Sequence, residues 1–86
     1  MTDAEKRRLL SSLSQAKVNE CARQIANAGT EDYLPDHFER TFGPEAALLA
    51  GLGYANRLAP ALKKLGFAIS LKMFPGNKRG CSVHRL

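Results

Sequence analysis

Four polar side chains fall within nine residues of one another: Asn56, Arg57, Lys63 and Lys64. On helical spacing Arg57 and Lys64, seven residues apart, lie on one stripe, with Asn56 and Lys63 on the stripe beside it. Those residue types suit base edges in a major groove. An arginine forks onto the two acceptors of guanine, and an asparagine pairs with the donor and acceptor of adenine. Leu58, Ala61, Leu62 and Leu65 share the opposite, inward arc of the same stretch. A second basic group follows. Asn77, Lys78 and Arg79 stand between Gly76 and Gly80, where the flanking glycines allow close backbone approach and expose a cationic tip. Phosphate contacts from such a tip position a protein on nucleic acid without choosing a sequence. Lys72 and Arg85 extend the basic stripe along the flanking segments.

The charge distribution points the same way. The 86 residues carry a formal net charge of +5, unevenly spread. Met1 to Glu45 holds six Lys/Arg and eight Asp/Glu, whereas Ala46 to Leu86 holds seven Lys/Arg and no acid. A weakly acidic half joined to a purely basic half is the electrostatic footprint of a polyanion binder. Solubility alone rarely demands that acids vanish over half a chain.

Other chemistries find little support. Cys21 and Cys81 are far apart, with no second pair to make a disulfide framework or a zinc motif. They read as two reduced thiols, one on a helix and one in a strand. His37 and His84 are isolated in the chain and read as structural. Tyr33 and Tyr54 suit the edge of a core better than stacking on bases. There is no phosphate-binding glycine loop, nucleophile elbow or paired-histidine metal helix. Gly51-Leu52-Gly53 is too short for a nucleotide fingerprint. Neither an enzyme nor a cofactor or metal site is expected. No apolar run approaches the roughly 20 residues of a membrane span, and the N-terminus does not resemble a signal peptide, so a cytoplasmic protein with no membrane partner is expected.

The elements that must hold these residues can be read from period and punctuation. Thr2-Asp3-Ala4-Glu5 is a capping-box signal, and Ser12-Leu13-Ser14-Gln15 is a second. They predict helix from Thr2 to about Ala28, broken near Ser11-Ser12. Leu13, Val18, Cys21, Ala22, Ile25 and Ala28 fall near one face, and Gly29 is the stop. Thr30 to Leu34 has room for a bridge-length strand. Pro35 opens a helix with Asp36 as its expected cap and Leu34, Phe38 and Phe42 inward, and Gly43-Pro44 ends it. A short helix over Pro44–Ala50 follows, then a third main helix from Tyr54 to Leu65 closed by Gly66. Pro60 requires that helix either to kink there or to begin only just before it. Phe67, Ile69, Leu71 and Met73 alternate with Ala68, Ser70, Lys72 and Phe74, the period of a half-buried strand. Pro75 to Gly80 is a turn, and Cys81 to Leu86 pairs back.

The order is helix, short strand, helix, turn, helix and a hairpin with a basic tip. With Tyr54-Ala55-Asn56-Arg57-Leu58-Ala59-Pro60-Ala61-Leu62-Lys63-Lys64-Leu65-Gly66-Phe67 leading into that hairpin, the chain resembles winged helix-turn-helix domains. It is similar in particular to small modules of phage and plasmid replication or regulatory proteins, in which a Leu-x-x-x-Leu-x-x-Leu-Gly-Phe pattern leads into the wing. The resemblance implies an α+β fold, mainly helical, of three to four helices followed by a C-terminal β-hairpin wing. Residues 1–11 would form an arm or helix extension and 12–86 the winged-helix domain, with recognition helix 54–66 and wing 67–86. The expected function is binding of duplex DNA as a regulator or replication accessory of a mobile element, by a monomer or homodimer. Two other readings remain open. One is a protein-interaction module, such as a small phage-encoded inhibitor of a nucleic-acid-handling complex. The other is RNA binding through the hairpin, with Phe67 and Phe74 beside the basic residues.

Overall fold

A computed structural model of the chain describes residues 2–51 and 57–86. Among them five helices and a three-stranded antiparallel sheet form an α+β body of 33 × 29 × 20 Å. Helix α1 (Asp3–Ser12) starts where Thr2 Oγ1 accepts from the Glu5 backbone N–H at 3.2 Å. Helix α2 (Gln15–Ala28) starts at Ser14, whose Oγ accepts from the Lys17 N–H at 3.1 Å. The break therefore lies at Leu13, later than Ser11-Ser12. Ser12 cannot cap the second helix because its hydroxyl donates back to the Leu9 carbonyl at 2.7 Å, inside α1. This division is one reason the helices number five where three to four were expected.

Strand β1 (Glu31–Tyr33) fills the expected short-strand position. Helices α3 (Pro35–Phe42) and α4 (Pro44–Ala50) each begin with proline at the first helical position, where the missing N–H costs nothing. Asp36 is not the cap of α3. Leu34 holds that position without a side-chain bond, and Asp36 sits in the first turn, where its charge favours the helix dipole. Helix α5 (Leu58–Lys64) is shorter than the expected Tyr54–Leu65 helix, whose first residues, Tyr54 to Asn56, lie outside the described residues, as does Leu52. Pro60 falls in its first turn, so the start just before the proline is the alternative adopted, and no intrahelical hydrogen bond is lost. Leu65, expected on the inner face, is 43% exposed.

Strands β2 (Phe67–Phe74) and β3 (Lys78–Arg85) make the expected hairpin, joined by Pro75, Gly76 and Asn77. Gly76 and Asn77 have φ of 82° and 59°, a left-handed pair that glycine and asparagine tolerate best. The sheet order is β1-β3-β2, so β3 is central. One core joins every helix to the sheet: Leu10, Val18, Cys21, Ala22 and Ile25 from α1 and α2, Phe38 from α3, Ala46 and Leu49 from α4, Leu58, Ala61 and Leu62 from α5, and Tyr33 and Val83 from the strands. Tyr33 meets Phe38 and Phe42 edge-on, at ring-centroid distances of 5.5 and 5.4 Å.

Gly80 is required by space. A Cβ there would collide with the Tyr33 carbonyl oxygen and lie 2.6 Å from Cε2 of the Phe74 ring, which covers this glycine. The carbonyl belongs to backbone and cannot swing aside. Gly80→Ala is therefore expected to cost about 1–3 kcal/mol, the usual penalty of overpacking, measured as a lower midpoint in urea at unchanged slope.

Candidate nucleic-acid interface

Directly opposed residues of an antiparallel pair share a face of the sheet. The register pairs Phe67 with Arg85, Ile69 with Val83, Leu71 with Cys81 and Met73 with Arg79. These residues form the inner face, which Val83 and Tyr33 anchor in the core. Ala68 pairs with His84, Ser70 with Ser82, Lys72 with Gly80 and Phe74 with Lys78, and these form the outer face. The cations expected to make one stripe along the hairpin are thus divided. Lys72 and Lys78 belong to the outer face, Arg79 and Arg85 to the inner. The cause is the two-residue period of a strand, which places Lys78 and its neighbour Arg79 on opposite sides.

Each residue of the expected set has a distinct setting. Asn77, Lys78 and Arg79 are exposed at the hairpin tip, and among the described residues no carboxylate pairs with Lys78 or Arg79. Lys63 and Lys64 are exposed in the last turn of α5, where positive charge suits the negative end of the helix. Helix α5 packs on β2, so these lysines and the hairpin belong to adjoining elements. Lys72 Nζ lies 3.4 Å from Asp32 Oδ2, an ion pair across the outer face that offsets its charge. Arg85 stands 5.8 Å from the Phe67 ring centroid. Asn56 lies outside the described residues.

Arg57 is half-buried and donates from Nη1 to the Leu10 carbonyl at 2.6 Å. The last turn of α1 has no basic residue of its own, and Arg57 brings a cation to its exposed carbonyls from 47 positions away. Its guanidinium thus ties α5 to α1. Leu10 itself is buried in the core, so the segment expected as an N-terminal arm contributes to the same body.

Two further features had no signal in local sequence. Asp32 carries a carboxyl pKa below its ordinary value, first through a hydrogen bond with Ser82 and then through Lys72. These partners meet only because β1 and β2 flank β3. The second feature is a groove of about 330 Å³ between α3, the end of α4 and the inner face of the hairpin. Phe38, Ala47, Ala50, Ile69 and Leu71 supply apolar wall, and Arg79 stands among them. Leu71 and Met73, each 51% exposed, are on the same inner face of the hairpin.

Among the described residues no group of three or more His, Cys, Asp or Glu is placed to hold a metal ion, and no helix is long and apolar enough to cross a membrane. No protein-family model matches the chain, nor does any curated protein or solved structure.

Among the described residues burial makes three groups, Cys21, Cys81 and Tyr33, hold their protons more tightly than usual. The Cys81 thiol is pushed from 9.0 to about 11, by burial and then by the Asp32 carboxylate. The Tyr33 hydroxyl is pushed from 10.0 to about 12, by burial and then by Glu31, and it has no hydrogen-bond partner among the described residues. Between the ordinary and the raised values the unfolded chain releases a proton that the folded chain retains. Their contribution to stability is therefore full below about pH 9 and declines as the pH rises towards 11 and 12. A melting temperature that falls across that alkaline range, less steeply in Cys81→Ser, is expected from thermal unfolding monitored by circular dichroism.

Proposed function

We propose that the chain binds duplex DNA as a winged helix-turn-helix domain, with α5 as the end of its recognition helix and the β2–β3 hairpin as its wing. The observation that carries this reading is the hairpin tip. Asn77, Lys78 and Arg79 are all exposed there, without an opposing carboxylate among the described residues, and Lys78 and Arg79 belong to opposite faces. A tip lying along a groove has phosphates on both sides, so one cation on each face serves it better than two on one. Lys63 and Lys64 on the adjoining helix extend the cationic surface. The element order, with a short β1 closing the sheet on β3, also supports the winged-helix reading. On this reading Arg57 stabilises the junction of α5 with α1 in place of reading a base. The biological setting proposed is cytoplasmic, as a regulator or replication accessory of a mobile element.

A specific observation favours a second reading. Leu71 and Met73 are half exposed beside the basic tip, as they would be in a module that docks on a protein. A gel-shift panel of duplex DNA, single-stranded DNA and RNA at two salt concentrations separates the readings. Duplex is expected to bind best, with affinity falling steeply as salt rises. RNA preference, or no shift of any nucleic acid at low salt, would overturn the duplex proposal.

Lys78→Ala/Arg79→Ala is expected to weaken binding to every duplex alike. It should also flatten the slope of log K against log salt by up to about 1.8, since each lost phosphate contact removes about 0.9. Asp32→Asn tests the charge balance from the other side. By releasing Lys72 from its ion pair it is expected to raise duplex affinity and steepen the salt slope by up to about 0.9, read from the same titrations.

A further inference from the structure

We propose that the groove beneath the hairpin binds a small apolar carboxylate whose carboxyl group pairs with Arg79. Eleven described residues line the groove, and Arg79 is the only charged one among them. A protein partner needs roughly 20–30 residues a side, whereas a cleft of about 330 Å³ falls in the range of small-molecule sites. The walls select an apolar body. Phe38, Ala47, Ala50, Ile69 and Leu71 offer no hydrogen bonds from their side chains, and the Cys81 side chain adds weakly polar, thiol-lined surface.

Charge complementarity then selects the head group. A neutral ligand would leave the Arg79 guanidinium without an anionic partner beside an apolar surface. A carboxylate matches its planar fork with two parallel hydrogen bonds. A doubly charged phosphate would call for a second cation, but Lys72 and Lys78 are on the other face of the hairpin and Arg85, on the inner face, is opposite Phe67 at its far end. One monovalent anion on an apolar chain is the occupant that this lining fits.

Arg79 is also one of the two tip cations assigned to DNA above, so a consequence follows that rests on that reading. A guanidinium engaged by a carboxylate in the groove is withdrawn from phosphate. Ligand and duplex should therefore oppose each other, and by linkage each should weaken the other's binding by the same factor.

The probes are decanoate, below its micelle concentration, and decanol, which has the same chain length without the charge. Both are titrated into the full chain by calorimetry. Decanoate is expected to bind at least about tenfold more tightly than decanol, and Arg79→Ala to reduce decanoate to the affinity of decanol while decanol binding persists. That persistence shows that the variant still forms the groove. Equal binding of the two ligands to the unaltered chain, binding of neither, or a decanoate preference that survives in Arg79→Ala would overturn the site. Duplex affinity is then measured with and without saturating decanoate. Unchanged duplex affinity would overturn the competition. Failure of duplex to bind even without decanoate would remove the DNA reading, and the competition with it, while leaving the carboxylate site standing on its own titration.

Discussion

Strand β3 is held on both sides, and the rest of the structure depends on that arrangement. Its register against β2 runs the full length of the hairpin, from Phe67–Arg85 to Phe74–Lys78, and its register against β1 pairs Tyr33 with Cys81. Because side chains alternate along a strand, these pairings decide at once which residues enter the core and which reach solvent. Val83 and Ile69 turn inward together, and Ser82 and Asp32 turn outward together. A slip of β3 by one residue would bury Ser82 in place of Val83 and move Lys78, Arg79 and Arg85 to the other face. The Gly80 backbone, pressed between the Phe74 ring and the Tyr33 carbonyl, opposes such a slip, since a shift by one would bring a residue with a Cβ, Arg79 or Cys81, to that place.

The same constraint explains how one short hairpin supports two kinds of chemistry. Val83 near its base is buried in the core, whereas Leu71 and Met73 are half exposed and Asn77, Lys78 and Arg79 at the tip are exposed. Arg79 belongs to the inner face, where it lines the groove, yet is close enough to the turn to be exposed. Lys78, one residue earlier, has no such divided position. Electrostatics among the remaining cations is similarly set by pairing across strands. Lys72 is matched by Asp32, from a part of the chain 40 positions away, so the basic half of the sequence is not acid-free in space.

Much of the architecture was legible from the chain. The helix start at Thr2, the stop at Gly29, the short strand near Tyr33 and the C-terminal hairpin all follow from local rules of capping, glycine conformation and alternation. They are legible because they rest on contacts within a few residues. The errors had local competitors. Ser12 and Ser14 are both plausible caps, and only the bond from Ser12 to Leu9 decides between them. Asp36 looks like a cap until Pro35 takes the first helical position. Leu65 has the right helical period but falls at the C-cap, where the backbone has already left the helix.

For the candidate interface, residue types and charge asymmetry were readable in the sequence, and so was the exposed tip with Lys78 and Arg79 between glycines. Composition and period determined those, since both are properties of neighbouring residues. Tertiary structure alone decided the partners: Arg57 on the Leu10 carbonyl, Lys72 on Asp32, and Arg79 beside the apolar wall built by α3 and α4. Each of these pairs residues at least 29 positions apart, and no periodicity within a single element can specify where the chain will return upon itself.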